Sequence, residues 1–181
     1  MSIGQWRATV DDLYKEPGQA ELIGGSIVRF MPMGHKPNRV AGSITRGLAD
    51  FAEETGRGEA FTSTIAFAVP ELASGRESFS PDASYFDGAF PDNPMRFIEG
   101  PPTFAVEVRS ENDDETEMAD KRADYFEAGT KVVWDVDPES EVIHKYVHSD
   151  PSKPVTFARG QTADAEPALP GWKVDVDWIF S

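Results

Sequence analysis

Thr103-Phe-Ala-Val-Glu-Val-Arg109 sets the reading of this chain, because a β-prone apolar run carries an acid at its centre. The neighbours of Glu107 argue for a buried strand, and burying a bare carboxylate is expensive. The acid must then be neutral, paired with a cation or bound to a metal. The remaining option is an edge strand that turns Glu107 to solvent while Phe104, Val106 and Val108 point inward. Upstream, Phe79-Ser-Pro-Asp-Ala-Ser-Tyr-Phe86 reads as another strand with Asp82 near its middle. If these two strands pair, the carboxylates converge. Taken alone, Pro81-Asp82 is an ordinary turn dipeptide. Downstream, acids crowd Glu111 to Glu117, where they complement the positive end of a helix running to about Ala128, and Gly129 is a natural stop. Lys121 and Tyr125 lie one turn apart on a single helical face, with Ala119, Ala123 and Phe126 as an apolar stripe toward the sheet. A lone helical lysine is ordinarily solvated.

Working outward, Ala20-Glu-Leu-Ile-Gly-Gly-Ser-Ile-Val-Arg-Phe-Met31 reads as a β-hairpin, its Gly24-Gly25 pair suiting a turn that needs positive φ. Asn38 is placed to cap a helix carrying Val40, Ile44, Leu48 and Phe51 at helical spacing and ending at Gly56. Phe61, Ser63, Ile65, Phe67 and Val69 alternate, predicting one strand up to Pro70. A Pro-rich loop spans Asp87 to Pro102. Lys131 to Asp137 and Glu141 to Val147 form a strand, turn and strand, and Leu169 to Phe180 closes the chain with apolar residues that dock on the body. The pattern predicts an α/β (α+β) fold with a mixed central β-sheet flanked by helices and an N-terminal β-hairpin addition, in one folded unit over residues 1–181.

The 181 residues carry 17 Lys and Arg against 32 Asp and Glu, a formal charge of -15. That is not the composition of a polyanion-coating protein. The absence of Cys removes disulfides, a thiol nucleophile and thiolate zinc sites, and three His make an all-imidazole site improbable. The residues from Met1 to Val10 hold no apolar leader, and no stretch is long enough to span a bilayer, so a cytoplasmic protein without a membrane is expected.

In order and spacing, these residues resemble the PD-(D/E)XK nuclease superfamily, with Pro81-Asp82, Glu107-Val-Arg109 and a lysine moved onto the next helix. More narrowly, the chain resembles the Uma2 family of restriction-endonuclease-like proteins. The carrying segments are Glu21-Leu-Ile-Gly-Gly-Ser-Ile-Val28, Met33-Gly-His35, Ser80-Pro-Asp82, Phe104-Ala-Val-Glu-Val-Arg-Ser110, Lys121-Arg-Ala-Asp-Tyr125, Trp134-Asp-Val-Asp-Pro138 and Leu169-Pro-Gly-Trp172. The resemblance implies a restriction-endonuclease-like core in which Asp82 and Glu107 bind Mg²⁺ or Mn²⁺ and Lys121 orients water or neutralises charge on the phosphate. It also implies supporting roles for Glu21, His35, Arg109 and Tyr125. Arg109 stands where the superfamily has lysine, and a guanidinium there suits phosphate binding rather than base catalysis. Gly24-Gly25 and Ser110-Glu111 also depart from the family pattern.

The implied partner is nucleic acid, DNA ahead of RNA, with a homodimer able to place two sites on one duplex. Net charge opposes this, although no acid occurs between Leu22 and Ala49, where Arg29, Lys36, Arg39 and Arg46 offer a phosphate-facing surface. Two other functions fit the composition: a catalytically silent, acidic protein-interaction module on the same fold, and a carboxylate-pair hydrolase acting on a sugar.

Overall fold

Gly24 and Gly25 both adopt positive φ, 59° and 72°, conformations that cost glycine little. They close the expected hairpin of β1 (Ala20–Ile23) and β2 (Ser26–Arg29), which follows a short α1 (Val10–Leu13). The computed structural model describes residues 6–111 and 113–181, so the first five residues read for a leader lie outside it.

Helix α2 (His35–Thr55) starts earlier than expected, with Gly34 rather than Asn38 at its cap. Pro37 does not delay it, because a proline in the first turn removes an N–H that has no intrahelical acceptor anyway. Val40, Ala41, Ile44 and Leu48 form its buried face.

The strand expected at 61–69 is two strands, β3 (Glu59–Thr62) and β4 (Phe67–Ala68). Between them the Ser80 hydroxyl donates to the carbonyls of Ser63 and Ile65, at 3.1 and 2.6 Å, taking acceptors that a continuous ladder would use. Likewise β5 (Ser78–Phe79) and β6 (Ala83–Phe86) replace one strand, since Pro81 between them has no N–H to donate. β4 joins β5 and β7 (Ile98–Glu99) in a three-stranded sheet.

The main sheet is completed by β8 (Phe104–Val108), helix α3 (Glu115–Ala128), β9 (Val132–Asp137), β10 (Val142–Val147) and β11 (Asp150–Ala158). Its order is β11-β10-β9-β8-β6-β3, with β8 and β9 parallel and the other neighbours antiparallel. The expected mixed sheet flanked by helices is thus present. β8 lies inside it, which excludes the edge-strand reading of Glu107. β11 is absent from the sequence reading because Pro151 and Pro154 argue against a strand; an edge position is where a sheet tolerates them.

Phe104, Val106 and Val108 face α2 and the C-terminal tail, β12 (Thr162–Asp164), β13 (Lys173–Asp175) and α4 (Val176–Phe180). The tail docks as expected: Leu169, Trp172, Ile179 and Phe180 are buried, and the Trp172 indole donates to the Gly47 carbonyl at 3.1 Å. Ala105 and Val133 face α3, with Tyr125 and Phe126. Here the expectation for α3 is corrected. Ala119 and Ala123 are exposed, and the buried residues are Met118, Arg122, Asp124, Tyr125 and Phe126. The helix presents charge to the sheet because acids on β1, β8 and β9 receive it. Among the described residues, no helix is long and apolar enough to cross a membrane.

Candidate functional site

The register Ala83↔Val106 puts the next pair, Asp82 and Glu107, side by side on the α3 face of the sheet. Asp82 Oδ2 accepts the Val108 N–H at 2.7 Å, so the side chain extends the pairing that Pro81 interrupts. Glu107 is 7% exposed and receives two groups from α3. The Tyr125 hydroxyl donates to Glu107 Oε1 at 2.5 Å, and Lys121 Nζ lies 2.9 Å from the same oxygen. Their spacing of one helical turn delivers both to one carboxylate. The structure therefore brings together Asp82, Glu107, Lys121 and Tyr125.

Glu21 joins them from below. It is fully buried on β1, with Oε1 3.2 Å from Lys121 Nζ and 2.9 Å from the Ser80 N–H that donates to it. Gln19 donates to the Ser80 carbonyl at 2.8 Å. The hairpin thus fastens the Ser80-Pro-Asp82 segment and anchors the lysine, while Glu21 itself does not line the cleft.

Sequence reasoning missed Arg76. Its guanidinium, buried beneath the site, donates to Glu21 and, at 2.8 Å, to Asp124 on α3. The chain around it, Gly75-Arg-Glu-Ser78, reads as a polar loop and carries no local signal of burial.

These contacts set the charge states. Burial drives the Glu107 carboxyl up, Lys121 opposes the rise, and the negative charges of Asp82 and Glu21 add to it, leaving a pKa of about 7. Burial also raises Asp82. Glu21 ends below its ordinary value although burial pushes it upward, because Lys121 and Arg76 hold it ionised. Burial lowers Lys121, but Glu107, Glu21 and Asp82 outweigh that and keep it cationic above its ordinary range.

The donor set fits a hard divalent cation that keeps much of its water. Among the described residues, Asp82 Oδ1 and Glu107 Oε2 accept no hydrogen bond, and both residues line one cleft of about 640 Å³. No cluster of three or more His, Asp or Glu is arranged for a metal among the described residues, so a dedicated protein cage is not what the site offers. Mg²⁺ and Mn²⁺ suit such a site, since one or two carboxylates, waters and substrate phosphate complete their shells.

The remaining sequence candidates lie apart. His35 is the exposed first residue of α2, outside the cleft lining. Arg109 is held by Asp135, with two contacts at 2.6 Å, and by Glu115, so its guanidinium closes an internal network that also includes Arg122. The four cations expected to offer a phosphate-facing surface each meet a partner within the protein. Arg29 pairs with Glu16, Lys36 with Glu141, Arg39 with the Ser181 carbonyl, and Arg46 lies over the Trp178 ring.

Residues 8–177 match a family model described as "Uma2: Putative restriction endonuclease". No curated protein matches the chain. Among solved structures, the fold is similar to a crystal structure described as a "putative nuclease belonging to DUF820" from Anabaena variabilis, with a TM-score of 0.74. The two chains are 19% identical, and the match covers 95% of this chain and 97% of that one, a likeness of fold.

Proposed function

The chain belongs to the Uma2 family, and from that premise we propose that it is a metal-dependent nuclease hydrolysing phosphodiester bonds at the cleft of Asp82, Glu107 and Lys121. The observation that carries this reading is the meeting of two carboxylates with unshared oxygens and one fixed ammonium at the floor of a single cleft. Asp82 and Glu107 would hold Mg²⁺ or Mn²⁺. Bound there, the cation supplies charge neutralisation at the scissile phosphate and a more acidic water.

The protein's own groups divide the remaining work. Lys121 stays protonated between Glu107 and Glu21, so it acts as a fixed cation toward the phosphoryl oxygens and not as a base. Tyr125 holds the Glu107 carboxylate by one oxygen and leaves the other without a hydrogen bond among the described residues. Arg76 and Glu21 position Lys121 without meeting substrate.

The test is cleavage of DNA and RNA by purified protein with Mg²⁺ or Mn²⁺. Asp82→Asn and Glu107→Gln should abolish it while circular dichroism shows that both variants remain folded. Equal cleavage by these variants would remove the assignment.

A further inference from the structure

We propose that the mouth of this cleft seats one unstacked nucleobase, so that the substrate is single-stranded or locally unpaired nucleic acid held by a base beside the scissile phosphate. The inference rests on the nuclease reading and adds a substrate class to it.

Part of the cleft lining is apolar and exposed. Phe30 and Met31 follow directly from β2 and are 39% and 85% exposed, although large apolar side chains ordinarily avoid water. Both line the cleft with Pro32 and Met33, and the Phe30 ring lies 5.3 Å from Lys121 Nζ. An aromatic face and a thioether beside a fixed ammonium form a surface for a flat π system next to an anion. Every base offers such a face, and stacking on aromatic side chains is tolerant of sequence.

Charge decides against a long duplex. Lys121 is the single cation lining the cleft among the described residues, whereas Glu111, Asp113 and Glu117 stand on its acidic wall. Two phosphate strands lying along that wall would meet repulsion with no row of cations to offset it. One phosphate at Lys121 and one base on Phe30 and Met31 avoid the conflict. The cleft volume, about 640 Å³, is in the range that encloses one small ligand.

The test titrates a single-stranded oligonucleotide carrying 2-aminopurine, as DNA and as RNA, with chelator present, and compares it with the same sequence in a duplex. Cleavage of both is followed separately with Mn²⁺. Stacking should quench the fluorophore on the single strand, with the duplex binding about tenfold more weakly. Phe30→Ala and Met31→Ala should each weaken single-strand binding, about tenfold for Phe30→Ala. Met31→Ala is the control for folding, since that side chain is largely exposed. Quenching without cleavage removes the nuclease reading and leaves the base seat standing. Duplex cleavage with KM unchanged in both variants overturns the seat and leaves the nuclease reading intact, and absence of quenching overturns the seat as well.

Discussion

Glu21 and Lys121, one on the N-terminal hairpin and the other on α3, meet at 3.2 Å with the glutamate fully buried. The hairpin therefore belongs to the site electrostatically, although its one carboxylate does not line the cleft. Lys121 is shared between an acid that lines the cleft and one that does not, which keeps the ammonium in place whether or not a cation sits on Glu107.

Arg76→Ala is expected to destabilise the fold by about 3–5 kcal/mol, because it leaves Glu21 and Asp124 buried with a counter-charge removed. Arg76→Met should cost nearly as much, since it keeps the apolar stem and loses the charge with its hydrogen bonds to Glu21 and Asp124. Urea denaturation of both variants checks this, and a loss below about 1 kcal/mol would show that the network adds little.

Tyr125→Phe removes one buried hydroxyl and its bond to Glu107. The expected loss of stability is about 1.5–3 kcal/mol, the range for a hydrogen bond to a charged group. If Tyr125 orients the carboxylate, calorimetric titration should also show weaker Mn²⁺ binding, with no change in the number of ions bound.

Stability without divalent ions should fall as pH rises from about 4.5 to about 7 and then level off. Glu107 is raised over that window, so the folded protein keeps a proton that the unfolded chain has lost. Asp82, also raised by burial, acts in the same sense. Glu21 acts oppositely: it is lowered, so its contribution is lost only on the acid side of its ordinary value. Glu107→Gln should flatten the decline by up to about 3 kcal/mol, read from denaturation at several pH values.

Mn²⁺ should raise the melting temperature of the wild-type protein by mass action and leave that of Asp82→Asn nearly unchanged. Thermal melts over a series of ion concentrations report this without any cleavage assay.

Much of the fold was legible because its signals are local. Gly24-Gly25 marks the hairpin, the spacing of Val40, Ile44 and Leu48 marks α2, and the apolar run around Glu107 marks a strand whose interior place only the sheet order decides. Glu107 stands out as an acid inside an apolar run, whereas the joint role of Asp82, Glu107 and Lys121 was legible only through the family resemblance, since a Pro-Asp dipeptide and a lone helical lysine carry no such signal by themselves. Arg76 could not, since its burial depends on Asp124 and Glu21, both remote in sequence. The α3 stripe was misread because alanines resemble a core face, while the true inward face is charged and stable only where acids await it. The breaks at Ser63 and Pro81 follow from a single hydroxyl and a missing N–H, details that alternation does not encode.

Glu21 also constrains the order of assembly. It precedes both of its cationic partners in the chain, Arg76 on a later loop and Lys121 on α3. Until both arrive, the carboxylate is better solvated by water than enclosed, since an unpaired buried charge is costly. Hairpin docking and α3 docking are thereby coupled, and the floor of the cleft forms together with the body beneath it. The rate of that step should track the closing of long chain segments, which is slower than forming either element alone.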